Sequence, residues 1–311
     1  MNAFLTGIGT RLADRWINAL LLPGLLWSAL LAAGLYLGQD RSFAVAGLSG
    51  WLDQLASRPA AQSIGAVVLA ASAILLASAG VGLLAGAFGA LVERLWALPG
   101  DRPPASWLRS WRRRRWALAR ERLRTAIRDA ATDSGADNAL AHATAVRVQQ
   151  RRCNRLGLAR PDHATRIGDR LADAATHART VDGLDDLALA WPRLWSVMSS
   201  EVRADLAAAR DAYAAAARLA AWALLYLTLA VVWWPAALVG TAALIASALR
   251  GNAAANVLAS LIEAACDLYL RDLADRLGVP SDEPALDIGH AISQRLRTPR
   301  PTEGPSRRGG W

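Results

Sequence analysis

Three residues of one predicted helix have side chains that could together hold a metal ion. Asp169, Asp173 and His177 recur every four residues in a segment whose apolar residues repeat with helical spacing. Side chains four residues apart on a helix are neighbours, so the two carboxylates and the imidazole share one face. Arg166 and Arg170 lie between them, and this alternation is more typical of surface ion pairs. We therefore predict no metal site and no catalytic residue here.

The rest of the sequence contains no motif for a known reaction. A phosphate-binding loop, a nucleophile-elbow serine, a zinc-protease helix and a dinucleotide-binding glycine pattern are all absent from it. The two cysteines exclude a disulfide scaffold and a cysteine zinc site. The sequence predicts no cofactor and favours a non-enzymatic protein, with an unrecognised lipid-directed membrane enzyme as an open alternative.

A second group of informative residues lies on a basic helix predicted for residues 107–132. Tryptophans and arginines share its first two turns: Trp107, Arg109, Trp111, Arg112, Arg113, Arg114 and Arg115. Arginine next to tryptophan is typical of a helix that lies against anionic lipid headgroups. A role as a topology determinant alone is also compatible with the pattern. Nucleic acid is not the expected partner, because no DNA- or RNA-binding motif accompanies the arginines.

The composition places these elements in a membrane protein. Of the 311 residues, 54% are apolar, above the roughly 45–50% typical of soluble domains. The formal net charge is +9, and all 35 basic residues are arginines. The absence of lysine is typical of a GC-rich genome, so we expect a bacterial protein.

Two uncharged segments early in the chain are predicted membrane helices. Residues 16–37 and 63–92 are each long enough to cross a hydrocarbon core about 30 Å thick. Gly82 and Gly86 form a small-xxx-small pair in the second segment, which allows two helix backbones to approach closely. We expect this pair to pack within the chain, with a homo-oligomer contact as the alternative.

A third uncharged segment, residues 219–249, is too long for one upright membrane helix. Trp233, Trp234 and Pro235 lie at its centre. Proline favours the first turn of a helix and breaks a helix interior. The sequence therefore predicts a helical hairpin that turns at these three residues in the membrane, and a single kinked span is the alternative.

Arginine counts predict the orientation of the spans. The connection 38–62 has two arginines, whereas residues 93–218 have 23 and residues 250–311 have eight. Arginine-rich connections stay on the cytoplasmic side of the membrane. We therefore predict a multi-pass protein of the bacterial plasma membrane with both termini in the cytoplasm.

The predicted fold is all-α, with four transmembrane helices, a helical cytoplasmic domain and a long antiparallel helical hairpin that projects into the cytoplasm. Apolar stripes continue the hairpin beyond the membrane, and they place Arg203 opposite Glu263 or Asp267. The predicted domains are a two-span unit at 1–97, an arginine-rich segment at 98–200, the hairpin at 201–277 and a largely disordered Pro/Gly/Arg-rich tail at 278–311.

Four short patterns resemble a group of uncharacterised bacterial multi-span membrane proteins, some of them actinobacterial. The patterns are TRIGDRL at 165–171, GLD at 183–185, WPRLW at 191–195 and WWP at 233–235. The resemblance covers roughly residues 164–277. It implies a multi-span membrane topology and no established activity.

Together these features predict a non-enzymatic integral membrane scaffold or sensor. Its basic helices are expected to contact anionic lipid headgroups and a cytoplasmic protein partner. An oligomeric membrane effector or pore-forming protein is the alternative, because the glycine-rich second span and the hairpin both allow close packing.

Overall fold

The computed structural model describes residues 22–39, 63–101, 105–132, 138–157 and 160–297, with the single positions 50, 54, 56, 57 and 103. Regular secondary structure within these ranges is entirely helical, which confirms the all-α prediction. The helices are α1 (Leu22–Leu37), α2 (Ile64–Trp96), α3 (Ala105–Thr132), α4 (Ala139–Leu156), α5 (Arg166–Thr180), α6 (Leu187–Val197), α7 (Ser200–Leu229), α8 (Pro235–Leu277) and α9 (Ala285–Arg297). The predicted tail from residue 298 onward lies outside the described residues.

Three helices, α2, α7 and α8, are long and apolar enough to cross a membrane. Helix α1 is also apolar, but its 16 residues fall short of that length. The first predicted span begins at residue 16, which lies outside the described residues. The structure thus supports a helical protein with three candidate spans, and the fourth span stays a prediction.

The chain forms two compact units. The apolar unit comprises Met1–Leu95 and Ala212–Gly251, and the charged unit comprises Trp96–Asp211 and Asn252–Trp311. Helices α7 and α8 contribute residues to both units.

Small residues allow the helices of the apolar unit to approach closely. A Cβ atom on Gly24 of α1 would overlap the carbonyl oxygen of Ser78 in α2. The hydroxyl of Ser247 in α8 donates a hydrogen bond of 2.8 Å to the carbonyl oxygen of Ala216 in α7. Both serines are fully buried, so the packing of these helices depends on small side chains.

The turn between α7 and α8 lies at the Trp-Trp-Pro sequence. Helix α7 ends at Leu229 and helix α8 begins at Pro235. The backbone N–H of Trp233 still donates to the carbonyl oxygen of Leu229 at 3.0 Å, and the N–H of Ala236 donates to Trp233 at 3.1 Å. Pro235 has no N–H to lose and its fixed φ suits the first helical position. Residues 219–249 therefore form two helices joined by a turn and not one kinked helix.

The core of the charged unit lies where the start of α7 and the end of α8 pack against α5, α6 and α9. Its most deeply buried large side chains are Leu184, Leu194, Leu270, Leu273, Ile288 and Ile292. The Thr165 hydroxyl caps α5 by accepting the N–H of Gly168 at 2.9 Å. The Asp186 carboxylate caps α6 by accepting the N–H of Leu189 at 3.2 Å. These caps fix where α5 and α6 begin, and they thereby set which side chains face the core.

Helices α3 and α4 pack against each other as a helical pair, residues 105–156, which we call the basic hairpin. Ala119 of α3 is buried in the pair, and its carbonyl oxygen lies 3.4 Å from the buried Cys153 Sγ of α4. The indole N–H of Trp116 donates to the Gly157 carbonyl oxygen at 3.2 Å. Few other side chains of the pair are buried, so both helices present long exposed faces.

Candidate functional site

The basic hairpin carries the whole net charge of the protein. Residues 105–156 contain 13 arginines and four acidic residues, a net charge of +9. The complete chain has the same formal net charge of +9. The arginines and acidic residues outside the hairpin therefore balance one another. An uncompensated charge of this size on two helices makes the hairpin a strong candidate for binding an anionic partner.

One arginine of the predicted Trp/Arg group is bound tightly inside the protein. Arg112 forms an ion pair of 2.7 Å with Asp169 and donates to the carbonyl oxygen of His163, also at 2.7 Å. Its side chain is largely buried by these contacts. This residue attaches α3 to the start of α5, which is a structural role.

Two further arginines of that group also have partners within the charged unit. Arg109 lies 2.9 Å from the carboxylate of Asp101. Arg113 pairs with Asp162 and donates to the carbonyl oxygen of Pro161 at 2.8 Å. These contacts hold the first turns of α3 against the chain segments before α3 and before α5.

The remaining members of the group lie on open surface. The side chains of Trp107 and Trp111 are 78% and 53% exposed. Arg114 and Arg115 are exposed beside them, and the Arg115 guanidinium lies 4.6 Å from the centre of the Trp111 ring. A guanidinium stacked on an indole can bind a phosphate while the ring enters an apolar interface.

Six more arginines of the same two helices are exposed in the structure, in addition to Arg114 and Arg115. We call the eight exposed arginines, with the two exposed tryptophans, the basic surface. Its members are Arg114, Arg115, Arg122, Arg124, Arg128, Arg147, Arg151 and Arg152, with Trp107 and Trp111. Glu121 offsets part of this charge, since it lies 3.5 Å from Arg124 and 3.3 Å from Arg128.

The three residues that spacing placed on one face of α5 have separate roles in the structure. Asp169 accepts the backbone N–H groups of Asp162 and His163 at 2.9 and 2.7 Å, in addition to its ion pair with α3. Asp173 is exposed. His177 lies 3.1 Å from Asp267 of α8. The Asp169 carboxylate therefore holds the chain segment before α5 in place and joins it to α3.

A different group of potential metal ligands comes together at the end of α5. His177 lies in the last turn of α5, Asp182 in the loop that follows, and Asp267 on α8. One ligand atom from each of these residues lies within 4.8 Å of the other two. We call this group the His–Asp–Asp cluster. Sequence analysis placed Arg203 opposite Glu263 or Asp267, and it did not bring Asp182 and His177 together with Asp267.

The loop that carries Asp182 is held in place by close backbone packing. Gly183 has a φ of +69°, a conformation that side chains other than glycine rarely adopt. A Cβ atom on Gly289 of α9 would overlap the carbonyl oxygen of Asp182. The N–H of Leu184 donates to Ala178 at 2.9 Å, which closes the end of α5. The loop therefore has little freedom to move Asp182 away from the cluster.

Burial and neighbouring charged groups shift the pKa values of the side chains around this loop. The pKa of Asp182 is raised from its usual 3.8 to about 6, first because the carboxyl is buried and next because Asp267 is negatively charged. The Asp267 carboxylate accepts a hydrogen bond from the His177 imidazole, and this raises the pKa of His177 although burial lowers it. Burial raises the pKa of the Cys266 thiol to about 12, which keeps this thiol protonated and unreactive.

A strong ion pair lies beside the cluster. Arg170 Nη2 lies 2.9 Å from Glu263 Oε2, and Arg170 Nη1 binds the other oxygen of the same carboxylate. This bidentate contact lowers the pKa of Glu263 and joins α5 to α8. The expected partner of Glu263 or Asp267 was Arg203, but the structure pairs both acidic residues with α5. The apolar stripes of 201–277 predicted which faces of α7 and α8 meet. They could not show that a third helix, α5, packs beside these faces.

The other predicted residues lie in the apolar unit. Gly82 is buried and Gly86 is half-buried, with no atom within 4 Å of the place where a Cβ on Gly86 would lie. Pro235 is buried, Trp233 is half-buried and Trp234 is exposed at the turn between α7 and α8.

Comparison with known proteins adds no family to these observations. Searches of family models, of curated proteins and of solved structures gave no match to this chain.

Proposed function

We propose that the chain is a non-enzymatic integral membrane scaffold or sensor whose basic surface binds anionic lipid headgroups. The observation that carries this proposal is the charge distribution: the basic hairpin holds a net charge of +9 and the rest of the chain is balanced. In this proposal the protein spans a bacterial plasma membrane several times, with both termini in the cytoplasm. A cytoplasmic protein partner would bind the same charged unit.

Simple energetics support binding to lipid. A basic residue near an anionic leaflet contributes about 1 kcal/mol, so eight exposed arginines give several kcal/mol in total. Exposed tryptophans favour the headgroup region, where the indole is partly buried and its N–H still reaches polar groups. The internal partners of Arg109, Arg112 and Arg113 fix the orientation of α3, so these residues also position the basic surface.

The short connection between α2 and α3 favours lipid over a soluble anion as the partner of the basic surface. Residues 97–104 form the whole connection between the candidate span α2 and the basic hairpin. Eight residues can extend over at most about 28 Å, so the start of α3 stays near a membrane that α2 crosses. The resemblance of 164–277 to uncharacterised multi-span membrane proteins is compatible with this placement, and the proposal does not depend on it.

Lipid retention by the full-length protein tests the proposal. Native mass spectrometry from nanodiscs of mixed phosphatidylglycerol and phosphatidylcholine would count the anionic lipids that stay bound. The test variant replaces Arg114, Arg115, Arg151 and Arg152 with glutamine. We expect it to retain fewer anionic lipids than the wild type, with no change for phosphatidylcholine.

A matched control removes the same charge elsewhere in the charged unit. It replaces the exposed arginines Arg166, Arg179, Arg271 and Arg276 with glutamine. We expect this control to retain lipid as the wild type does. Equal losses in both variants would mean that lipid follows total charge, and an unchanged test variant would reject the basic surface as the binding site.

An oligomeric membrane effector or pore is the second candidate. The observation that favours it is the exposure of α2, whose large apolar side chains include the exposed Ile64, Leu69, Leu76 and Leu83. Gly80 and Gly86 leave open space on the same helix. If copies pack through this surface, mass photometry in nanodiscs would give a defined multiple of 33.1 kDa, and Gly86→Leu would reduce it. A monomer in both proteins would exclude this candidate.

A further inference from the structure

We propose that His177, Asp182 and Asp267 form a binding site for a divalent transition-metal ion of the Zn²⁺ or Mn²⁺ type. The site is independent of the basic surface and of its lipid binding.

The first support is geometric. The ligand atoms come from three parts of the charged unit, and they all lie within 4.8 Å of one another. Ligands about 2.1 Å from a tetrahedral ion lie about 3.4 Å apart, and His177 Nε2 and Asp267 Oδ1 are already 3.1 Å apart. The largest remaining adjustment is about 1.4 Å, which side-chain rotation of the more exposed Asp267 can supply.

The second support is an unsatisfied buried carboxylate. The Asp182 residue is only 2% exposed, and its Oδ2 atom has no hydrogen-bond partner. A buried polar atom without a partner costs stability, and native proteins rarely leave one without a reason. An ion bound between the imidazole and the two carboxylates would give the buried Asp182 carboxylate a ligand bond.

The rigidity of the loop is the third support. Gly183 and Gly289 fix the backbone on both sides of the Asp182 carbonyl, and the Ser293 hydroxyl accepts the N–H of Asp185 at 3.1 Å. The protein therefore holds Asp182 in place although this costs the solvation of its carboxylate. Such a costly arrangement in a rigid loop is typical of a ligand position.

The donor set determines the class of ion. Two carboxylates and a neutral imidazole carry two negative charges, which match a divalent cation. The imidazole nitrogen favours Zn²⁺ over Mg²⁺ and Ca²⁺, which prefer oxygen ligands alone, and the two carboxylates also suit Mn²⁺. Asp267 is exposed and His177 half-buried, so water can occupy the remaining coordination position. The neighbouring Arg170 points its charge at Glu263 and does not compete with the ion.

Thermal unfolding of the full-length protein in detergent, followed by the fluorescence of its 13 tryptophans, tests the site. The protein is first treated with EDTA and desalted, and ZnCl₂, MnCl₂, MgCl₂ or CaCl₂ is then added. We expect Zn²⁺ or Mn²⁺ to raise the Tm by about 2–4 °C or more at saturation, and Mg²⁺ and Ca²⁺ to have little effect. Metal analysis after dialysis should give one ion per chain.

Three variants make the result specific. Asp182→Asn and His177→Gln should each lose the metal-dependent rise in Tm, and Asp173→Asn on the exposed part of α5 should keep it. His177→Gln leaves the buried loop unchanged, so it tests the site even if Asp182→Asn folds poorly. No rise with any ion, an equal rise with Ca²⁺, or an undiminished rise in His177→Gln would overturn the proposal and leave a simple His177–Asp267 ion pair.

Discussion

The basic hairpin and the packed region of α5, α8, α9 and the loop after α5, which we call the α5–α8 layer, belong to the same unit but differ in how their charges are paired. On the hairpin, eight arginines are exposed, and Glu121 lies near two of them, Arg124 and Arg128. Between α5 and α8, Arg170 and Glu263 neutralise each other and His177 pairs with Asp267. Residues 105–156 contain four acidic residues for 13 arginines, so the difference lies in the composition of the two regions as well as in where the fold places acidic partners.

In the proposed function, the paired charges stabilise the fold and the exposed arginines bind an anionic partner. Paired charges at a helix interface fix the register of the helices. A surface of unpaired like charges costs stability through repulsion, and it persists where an anionic partner relieves that repulsion. We therefore expect substitutions in the α5–α8 layer to change the free energy of unfolding strongly and substitutions on the basic hairpin to change it little.

The largest effect is expected from Gly289→Ala, which tests how tightly the layer is closed. The new Cβ would overlap the carbonyl oxygen of Asp182, in a loop whose next residue, Gly183, has a φ of +69°. We expect a loss of about 3 kcal/mol in the free energy of unfolding. Thermal unfolding in detergent measures it.

Gly278→Ala is the matched control for that variant. Gly278 has a φ of +67° but no atom lies within 4 Å of its Cβ position. Alanine there suffers backbone strain alone, about 1 kcal/mol. A loss in Gly289→Ala no larger than that in Gly278→Ala would show that the loop and α9 can move apart at little cost.

Next in size is Arg170→Met, which breaks the bidentate pair. The substitution leaves the largely buried Glu263 carboxylate without its partner, so we expect a loss of about 1.5–3 kcal/mol. Arg203→Met is the control, because the structure pairs Glu263 with α5 and not with Arg203. We expect its effect to stay within about 0.5 kcal/mol. A larger loss in Arg203→Met than in Arg170→Met would restore the pairing that the apolar stripe suggested.

The same pair predicts how stability depends on pH. The pKa of Glu263 is lowered from its usual 4.5 because Arg170 hydrogen-bonds to the carboxylate. The folded state therefore holds this proton less tightly than the unfolded state, and the pair stabilises the protein above the unfolded value. That stabilisation is lost as the pH falls below about 4.5 through the folded pKa. Arg170→Met should remove this part of the acid destabilisation, which chemical unfolding at several pH values would detect.

Local signals in the sequence were sufficient for much of the fold. Proline at position 235 predicted the end of one helix and the start of the next, because its ring acts through the adjacent backbone. The apolar stripes of 201–277 likewise predicted two long helices that the structure contains as α7 and α8. Such features depend on neighbours within a few residues, which a sequence displays directly.

The candidate sites depend on contacts that a sequence does not display. The spacing of Asp169, Asp173 and His177 correctly placed them on one helix, but partners from other elements decided their roles. Asp169 is bound by Arg112, 57 positions earlier, and His177 by Asp267, 90 positions later. The spacing of residues on one helix therefore indicates which side chains share a face and leaves open which partner each one meets.

On the basic hairpin, one variant replaces four exposed arginines with glutamine, namely Arg114, Arg115, Arg151 and Arg152. It should leave the free energy of unfolding nearly unchanged. None of these exposed side chains is expected to hold the fold, and the loss of repulsion offsets lost packing, so we expect a change within about 1 kcal/mol. Thermal unfolding at low and high salt checks this. A loss as large as that of Arg170→Met would show that these arginines hold the fold.

The smallest effect concerns the stacked pair of the basic surface. The Arg115 guanidinium lies 4.6 Å from the centre of the Trp111 ring, and both side chains are exposed. A cation–π contact at such a position contributes about 0.5 kcal/mol. A double-mutant cycle of Arg115→Gln and Trp111→Ala should give this coupling in the free energy of unfolding. The same cycle measured on retention of anionic lipid should give a larger coupling, because the stack presents the guanidinium to phosphate at the depth of the indole. A lipid coupling no larger than the stability coupling would show that the stack is ordinary surface packing.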